Sequence, residues 1–196
     1  MISRQLQITM SLLLVSILLL GVYIIRLRHA EETKTEQAVS SAPSTPEAQG
    51  RQEKIRVLIA YDDDLALRWR EVEAFMPDDR ILRARAALRT VLDQYLQNPS
   101  PHPLARGAGI KDIYLLGQDT LLIDTTAPFA DGHRSGLLVE EMTLASLIET
   151  LSANVAGISR VKFLVDGKER ETLAGHADLN SFYDIAAIHK LAREFE

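Results

Sequence analysis

Residues 161–179, VKFLVDGKERETLAGHADL, decide how this chain is read. Val161–Val165 is dense in β-formers, and Asp166-Gly167 is the strongest two-residue hairpin signal in the chain. The spacing predicts strands Arg160–Val165 and Lys168–Leu173 either side of that turn. Gly175-His176-Ala177-Asp178 forms a polar tail. If the second strand runs its full length, Asp166 and His176 lie at its opposite ends, about 25–30 Å apart at strand rise.

Working outward, the same grouping of two strands and a helix recurs about every 50 residues, a pseudo-repetition without the sequence identity of a solenoid. Downstream, Ile185, Ile188, Leu191/Ala192 and Phe195 mark a helix over Phe182–Glu194, with Ser181 and Asp184 as an Asp-form capping box. Upstream, Leu138, Met142, Ala145, Ile148, Leu151 and Val155 mark a helix over Leu137–Ala153 that Gly157 ends. A loop, APFADGHRSG (127–136), precedes it. A hairpin of Ile110–Leu116 and Thr120–Thr125 turns at Gly117-Gln118-Asp119. A helix over Arg80–Gln97 starts behind Asp78-Asp79, which suit its N-terminus, and stops at NPSPHP (98–103). The first hairpin pairs Ile55–Tyr61 with Leu65–Glu71 across Asp62-Asp63-Asp64, with Leu65, Leu67 and Trp69 on one face and Arg68 and Arg70 opposite. The expected fold is therefore α+β: one α/β sandwich over residues 54–196, in the order ββαββαββα, with helices on a mainly antiparallel or mixed sheet.

Ahead of it, Ile8–Ile25 is uncharged, and as a helix it spans about 27 Å, enough for a bilayer core. Arg28 stands where a signal-peptide cleavage site needs a small residue, so the segment reads as an uncleaved anchor. Residues 1–7 form a cytoplasmic tail, and the domain is expected outside the membrane, although the flanking positive charges, Arg4 against Arg26 and Arg28, are nearly tied. Residues 26–53 read as a disordered linker, with Ser, Thr, Pro and mixed charge and almost no apolar surface.

Lys and Arg total 22 against 27 Asp and Glu, a net charge of −5. Residues 1–53 are balanced, so the excess acid belongs to the domain, which is a poor surface for nucleic acid. The chain has no cysteine, which excludes disulfides, thiolate metal sites, a cysteine nucleophile and an N-terminal lipidated cysteine. No nucleophile elbow, zinc-protease helix, phosphate-cradling loop or dinucleotide fingerprint occurs.

Several polar groups carry competing readings. Asp62-Asp63-Asp64 offers oxygen ligands but lacks a calcium-loop ladder, and reads as a turn. His176 and Asp178 offer an acid/base pair or, together with Asp166, a metal site, against a structural reading: Asp166-Gly167 as turn, Gly175 as a permissive backbone position and Asp178 as a local cap. His133 in Asp131-Gly132-His133 reads as an exposed loop histidine. An envelope hydrolase would have to draw on Asp62, Asp131, His133, His176 and Asp178. Arg80, Arg83, Arg85 and Arg89 offer an acidic partner a docking face, or are a solvated helix surface. Trp69 and the loop 126–136 are where a cell-wall glycan or peptide would bind. No catalytic, cofactor-binding or metal residue is assigned, and no cofactor is expected.

Asp124-Thr125, Phe129, Thr150-Leu151, Gly157-Ile158, Val165-Asp166-Gly167, and then Leu173, Gly175, His176 and Asp178 fall in an order that resembles the GerMN domain family of sporulation and spore germination proteins. The resemblance covers about residues 54–182, more loosely in the first hairpin and helix. The connector 99–103 departs from the pattern and the last helix extends past it. The resemblance implies an extracytoplasmic, membrane-tethered, non-enzymatic domain that scaffolds envelope or spore-coat assemblies through other envelope proteins or itself. It implies a fold similar to the ring-building modules of secretion systems, and it transfers no site residue.

Overall fold

The computed structural model describes residues 49–195. The anchor expected at 8–25, the tail before it and most of the linker lie outside the described residues. Among those described, no helix is long and apolar enough to cross a membrane.

The domain opens with a long antiparallel hairpin, β1 (Gly50–Tyr61) and β2 (Ala66–Pro77), paired without a break from Tyr61↔Ala66 to Gly50↔Pro77. Both strands outrun their sequence signals. Residues 50–53, which composition assigns to the linker, pair with the last residues of β2. β2 continues beyond Glu71, where Val72, Ala74 and Met76 form a second alternation, shifted by one residue from that of Leu67 and Trp69 and therefore on the opposite face. Leu65, expected on the buried face, sits in the turn at φ 50° and is exposed.

Helix α1 (Arg80–Tyr95) is capped by Asp79, whose carboxylate accepts from the N–H groups of Ile81 and Leu82. It buries Ala84, Ala87, Leu88, Val91, Leu92 and Tyr95. Strands β3 (Ile110–Leu116) and β4 (Thr120–Thr125) form the second hairpin as expected. The stretch read as a loop contains a short helix, α2 (Ala127–Asp131), that Pro128 suits to a first turn. Helix α3 (Leu137–Asn154) and strand β5 (Arg160–Val165) follow, and β5 pairs parallel with β4. A parallel pair needs a crossover, and α2 and α3 supply it.

The third hairpin does not form. Asp166 and Gly167 do make the tight turn, at φ 49° and 73°, but only the Val165↔Lys168 bridge follows it. Lys168-Glu169-Arg170-Glu171 has no apolar alternate residues to bury, and only Leu173 goes inside. The place beside β5 is taken by a two-residue strand, β6 (Tyr183–Asp184). Helix α4 (Ile185–Ala192) therefore starts later than Phe182, with Asp184 itself as cap, and Phe182 stays exposed. The observed order is ββαββααββα in two sheets, β1-β2 and β3-β4-β5-β6, rather than one.

Helix α3 runs through the middle, packed on β1, α1 and α4. Leu138, expected in its buried stripe, is exposed, as is Leu137 before it, whereas most of the rest of the helix is buried. It also closes the free edge of β1. Leu58 N–H donates to Thr150 Oγ1 at 2.9 Å, and Asn154 Nδ2 donates to the Arg56 carbonyl at 2.7 Å. From α1, the Tyr95 hydroxyl accepts from Ala60 N–H at 2.9 Å. An open strand edge invites pairing with another chain, and here helix side chains satisfy it.

Candidate functional site

The polar chemistry of the domain is concentrated on one stripe of α3. Glu140, Thr143, Ser146, Thr150 and Asn154 are spaced three, three, four and four apart, which places them on one helical face. The first four are buried. Buried polar groups are costly unless bonded, so each partner matters. Thr150 and Asn154 hold the edge of β1. Ser146 accepts from the Tyr95 hydroxyl at 2.8 Å and donates to the Thr143 carbonyl.

Thr143 sits at the centre. His102, from the proline-rich connector, places Nε2 2.6 Å from Thr143 Oγ1 and Nδ1 2.5 Å from Asp62 Oδ1. His133 places its Nε2 2.8 Å from the same Thr143 oxygen, and its Nδ1 donates to the Arg134 carbonyl at 2.7 Å. The Arg134 guanidinium pairs with Asp62 Oδ2. The turn after β1 is tied in as well, since Asp62 N–H donates to the Pro101 carbonyl at 3.0 Å. Burial would raise the Asp62 carboxyl, but the His102 hydrogen bond and the charges of His102, Arg134 and His133 outweigh it and hold it below the usual range. Burial pushes the His133 imidazole down, opposed only in part by its backbone bond.

Asp62, His102 and Thr143 stand in the order carboxylate, imidazole, hydroxyl, which is the order of a nucleophilic triad. The difference is access. Thr143 exposes 0% of its surface and His102 1%, so no substrate carbonyl can reach the hydroxyl. What the arrangement does is hold three chain segments against α3.

Glu140 does the same one turn earlier. Its Oε1 accepts from Gly136 N–H at 3.1 Å and meets His176 Nδ1 at 2.9 Å. Its Oε2 accepts from the N–H groups of Ala174, His176 and Ala177 at 2.9–3.0 Å. Burial opposes ionisation, yet the Ala177 and Gly136 N–H groups, the His176 ring and the Ala174 N–H win and pull the carboxyl to about 2. Further along α3, Glu149 Oε2 meets His189 Nδ1 at 2.9 Å. All four described histidines thus place a ring nitrogen on an α3 side chain.

The residues singled out in the sequence are distributed as follows. His133 is buried rather than exposed, because α2 turns it inward against Phe129 and Thr143. Asp62 does more than shape a turn, while Asp64 makes an exposed pair with Arg68. Asp131 pairs with Arg170. Asp178 caps Asn180 N–H at 2.8 Å, and Gly175 adopts φ 117°, both in line with structural roles. The strand expected to separate Asp166 from His176 is absent, and the chain folds back between Glu171 and Leu179. His176 bonds Glu140, and Asp166 pairs with Lys111, so they still share no bond. Of the five hydrolase candidates, Asp62 and His133 do converge, but inside the fold. Among the described residues no group of three or more His, Asp or Glu is placed to hold a metal.

The four arginines of α1 divide. Arg80 donates to the carbonyls of Gln118 and Gly157, Arg83 to those of Asn154 and Pro77 and pairs with Glu53, and Arg85 holds the Lys111 carbonyl and Asp112. Arg89 alone of the four makes no bond to a described residue. It stands at the rim of a hollow of about 280 Å³ floored by Leu92, Ala108 and Ile110. Trp69 is half-buried with the Arg56 guanidinium 4.5 Å from its ring centre. The α3 stripe is not among the features that stand out in the sequence. Its signal was there: Thr143, Ser146 and Thr150, weak helix formers, recur at helical spacing inside an apolar helix.

The family model described as Germane, sporulation and spore germination, matches residues 60–171. No curated protein matches the chain. Solved structures that resemble it include the following two. One is a protein from Clostridium perfringens described as a lipoprotein, at 17% identity and TM-score 0.45, covering 69% of this chain and 87% of that one. The other is the tandem GerMN domains of the sporulation protein GerM from Bacillus subtilis, at 16% identity and TM-score 0.48, covering 67% of this chain and 45% of that one. The chain thus spans under half the length of the tandem structure.

Proposed function

The chain belongs to the Germane family of sporulation and spore germination domains, and we propose that it is a membrane-anchored, extracytoplasmic, non-enzymatic domain that binds envelope proteins or itself. The observation that carries this reading is where the polar chemistry goes. Among the described residues the Asp62–His102–Thr143 line is spent on the interior, with Thr143 wholly buried, and in the partly exposed group of Ser135, His176 and Glu140 the hydroxyl and the carboxylate meet the same ring nitrogen, Nδ1, so no proton relay runs through that ring. The surface instead offers features suited to contact. Tyr114 and Leu116 project from the outer strand β3, both more than half exposed, and Arg89 stands free beside its hollow. The uncharged segment 8–25 supplies the anchor, and the linker supplies reach.

The absence of cysteine makes the test clean. Single cysteines at Tyr114 or Arg89 in the full chain, on intact membranes, are cross-linked with a short bifunctional reagent. Discrete adducts from either position support the reading. Monomer alone from both positions, under growth and starvation conditions, overturns it. A wall-binding module is the second reading, but its two expected contacts are partly spent: Trp69 lies against Arg56, and α2 turns Phe129, Ala130 and His133 inward. Sedimentation with purified wall material, with no enrichment over a control domain, would dismiss it.

A further inference from the structure

We propose that Thr143 and the two imidazoles on it form a proton-operated latch, complete when the His102–His133 pair holds one proton beyond its neutral state and weakened when that number changes. The inference comes from counting hydrogens around one oxygen. His102 Nδ1 faces a carboxylate oxygen of Asp62, and His133 Nδ1 faces the Arg134 carbonyl. Both partners only accept, so each Nδ1 carries a hydrogen. A neutral ring then turns a bare lone pair at Nε2 toward Thr143 Oγ1, and two rings do so, at 2.6 and 2.8 Å. The Val139 carbonyl is a third acceptor, 2.9 Å from the same oxygen. Thr143 has one hydrogen for all three. The neutral cluster is therefore left with close contacts between lone pairs in a buried place, which is costly.

One proton on either Nε2 resolves the conflict. That ring donates to Thr143, Thr143 donates to the other ring, and the line from Asp62 to the Arg134 carbonyl is complete. A second proton also finds an acceptor, because Thr143 then accepts twice and donates to Val139. It does so by placing two charged rings with centroids 5.9 Å apart.

The groups facing the pair favour the singly charged state. The turn after β1 contributes Asp62, the segment after α2 contributes Arg134, and α1 contributes Tyr95, whose ring centre lies 4.7 Å from that of His102 and whose hydroxyl is bound to Ser146. From α3 comes Glu140, already engaged by five donors. Asp62 is thus the anion in direct contact: it attracts one imidazolium at Oδ1, while the Arg134 cation on Oδ2 already shares its charge and weighs against a second. The burial that depresses His133 resists the second proton. Because the rings belong to the 99–103 connector and to the segment after α2, a change in proton number loosens two loops from α3 together.

The test uses the full chain, with melting temperatures from about pH 5 to pH 9 for wild type, Thr143→Val and Thr150→Val. Wild type should pass through a maximum and lose several degrees on either side. Thr143→Val should flatten that curve, while Thr150→Val should melt lower throughout with the shape unchanged. Imidazole ¹⁵N spectra of wild type should show both rings responding together in each step, as coupled sites do. A Thr143→Val curve parallel to wild type, or two rings that each titrate in one independent step, would overturn the latch. If Thr143→Val does not fold, the spectra decide alone.

Discussion

Thr150 Oγ1 accepts the backbone N–H of Leu58 at 2.9 Å, across 92 residues of sequence. One hydroxyl in the middle of a helix thereby satisfies the edge of a strand from the other end of the domain. Thr150→Val keeps the shape and removes the acceptor, leaving a buried N–H unpaired. The expected loss is about 1–3 kcal/mol. Denaturant unfolding measures it, and the Leu58 amide should exchange faster, while Thr150→Ser should behave nearly as wild type.

Glu140→Gln leaves the three N–H groups of Ala174, His176 and Ala177 facing an amide in place of a carboxylate, and breaking into a buried ionic network of this kind costs on the order of 3 kcal/mol. The same residue sets an acid limit. Its folded value, about 2, lies below the usual 4.5, so its contribution is full above the unfolded value and disappears as pH falls from 4.5 toward 2. Stability against pH in that window should drop in wild type and drop less in Glu140→Gln. Equal slopes would show that the loop 174–177 is held by something else.

The α1 arginines should separate by partner. Arg83→Ala strips bonds from the Asn154 carbonyl and from Glu53 and should cost about 1–2 kcal/mol, whereas Arg89→Ala should fall within about 0.5 kcal/mol of wild type. Urea midpoints distinguish them.

Gly167 sits at φ 73° in the turn after β5, with its N–H bonded to Asp124 Oδ1. Gly167→Ala should destabilise by about 1 kcal/mol because a Cβ disfavours that conformation. Asp166→Gly, at φ 49°, relieves the same restriction but gives up an exposed pair with Lys111, so its melting temperature should stay near that of wild type.

The elements with strong local signals were readable: the Asp79 cap, the β3–β4 hairpin and the Asp166-Gly167 turn. What the sequence hid was set at long range. Residues 50–53 look like linker until the far end of β2 is there to pair with them. Lys168–Leu173 looks like a hairpin arm because the turn before it is right, yet Tyr183 and Asp184 occupy the position beside β5. His133 looks like a loop histidine because nothing local shows that α2 will face it toward Thr143. The α3 stripe was invisible for a related reason. Threonine and serine on a helix normally bond water or their own backbone, and only the arrival of β1, Tyr95, the connector and the segment after α2 makes these interior.

The β1–β2 hairpin opens toward the N-terminal end of the domain, and its first residues, 50–52 and 54, are exposed. Tension carried in from the chain before Gly50 would act on the open end of a zipper, parting pairs one at a time at low force. The peeling would first meet the Glu53–Arg83 pair and buried Ile55, and then Arg56 and Leu58, where Asn154 and Thr150 clamp the strand from the side. A pull on the chain before Gly50 would thus lengthen it by a few residues before it loaded the core.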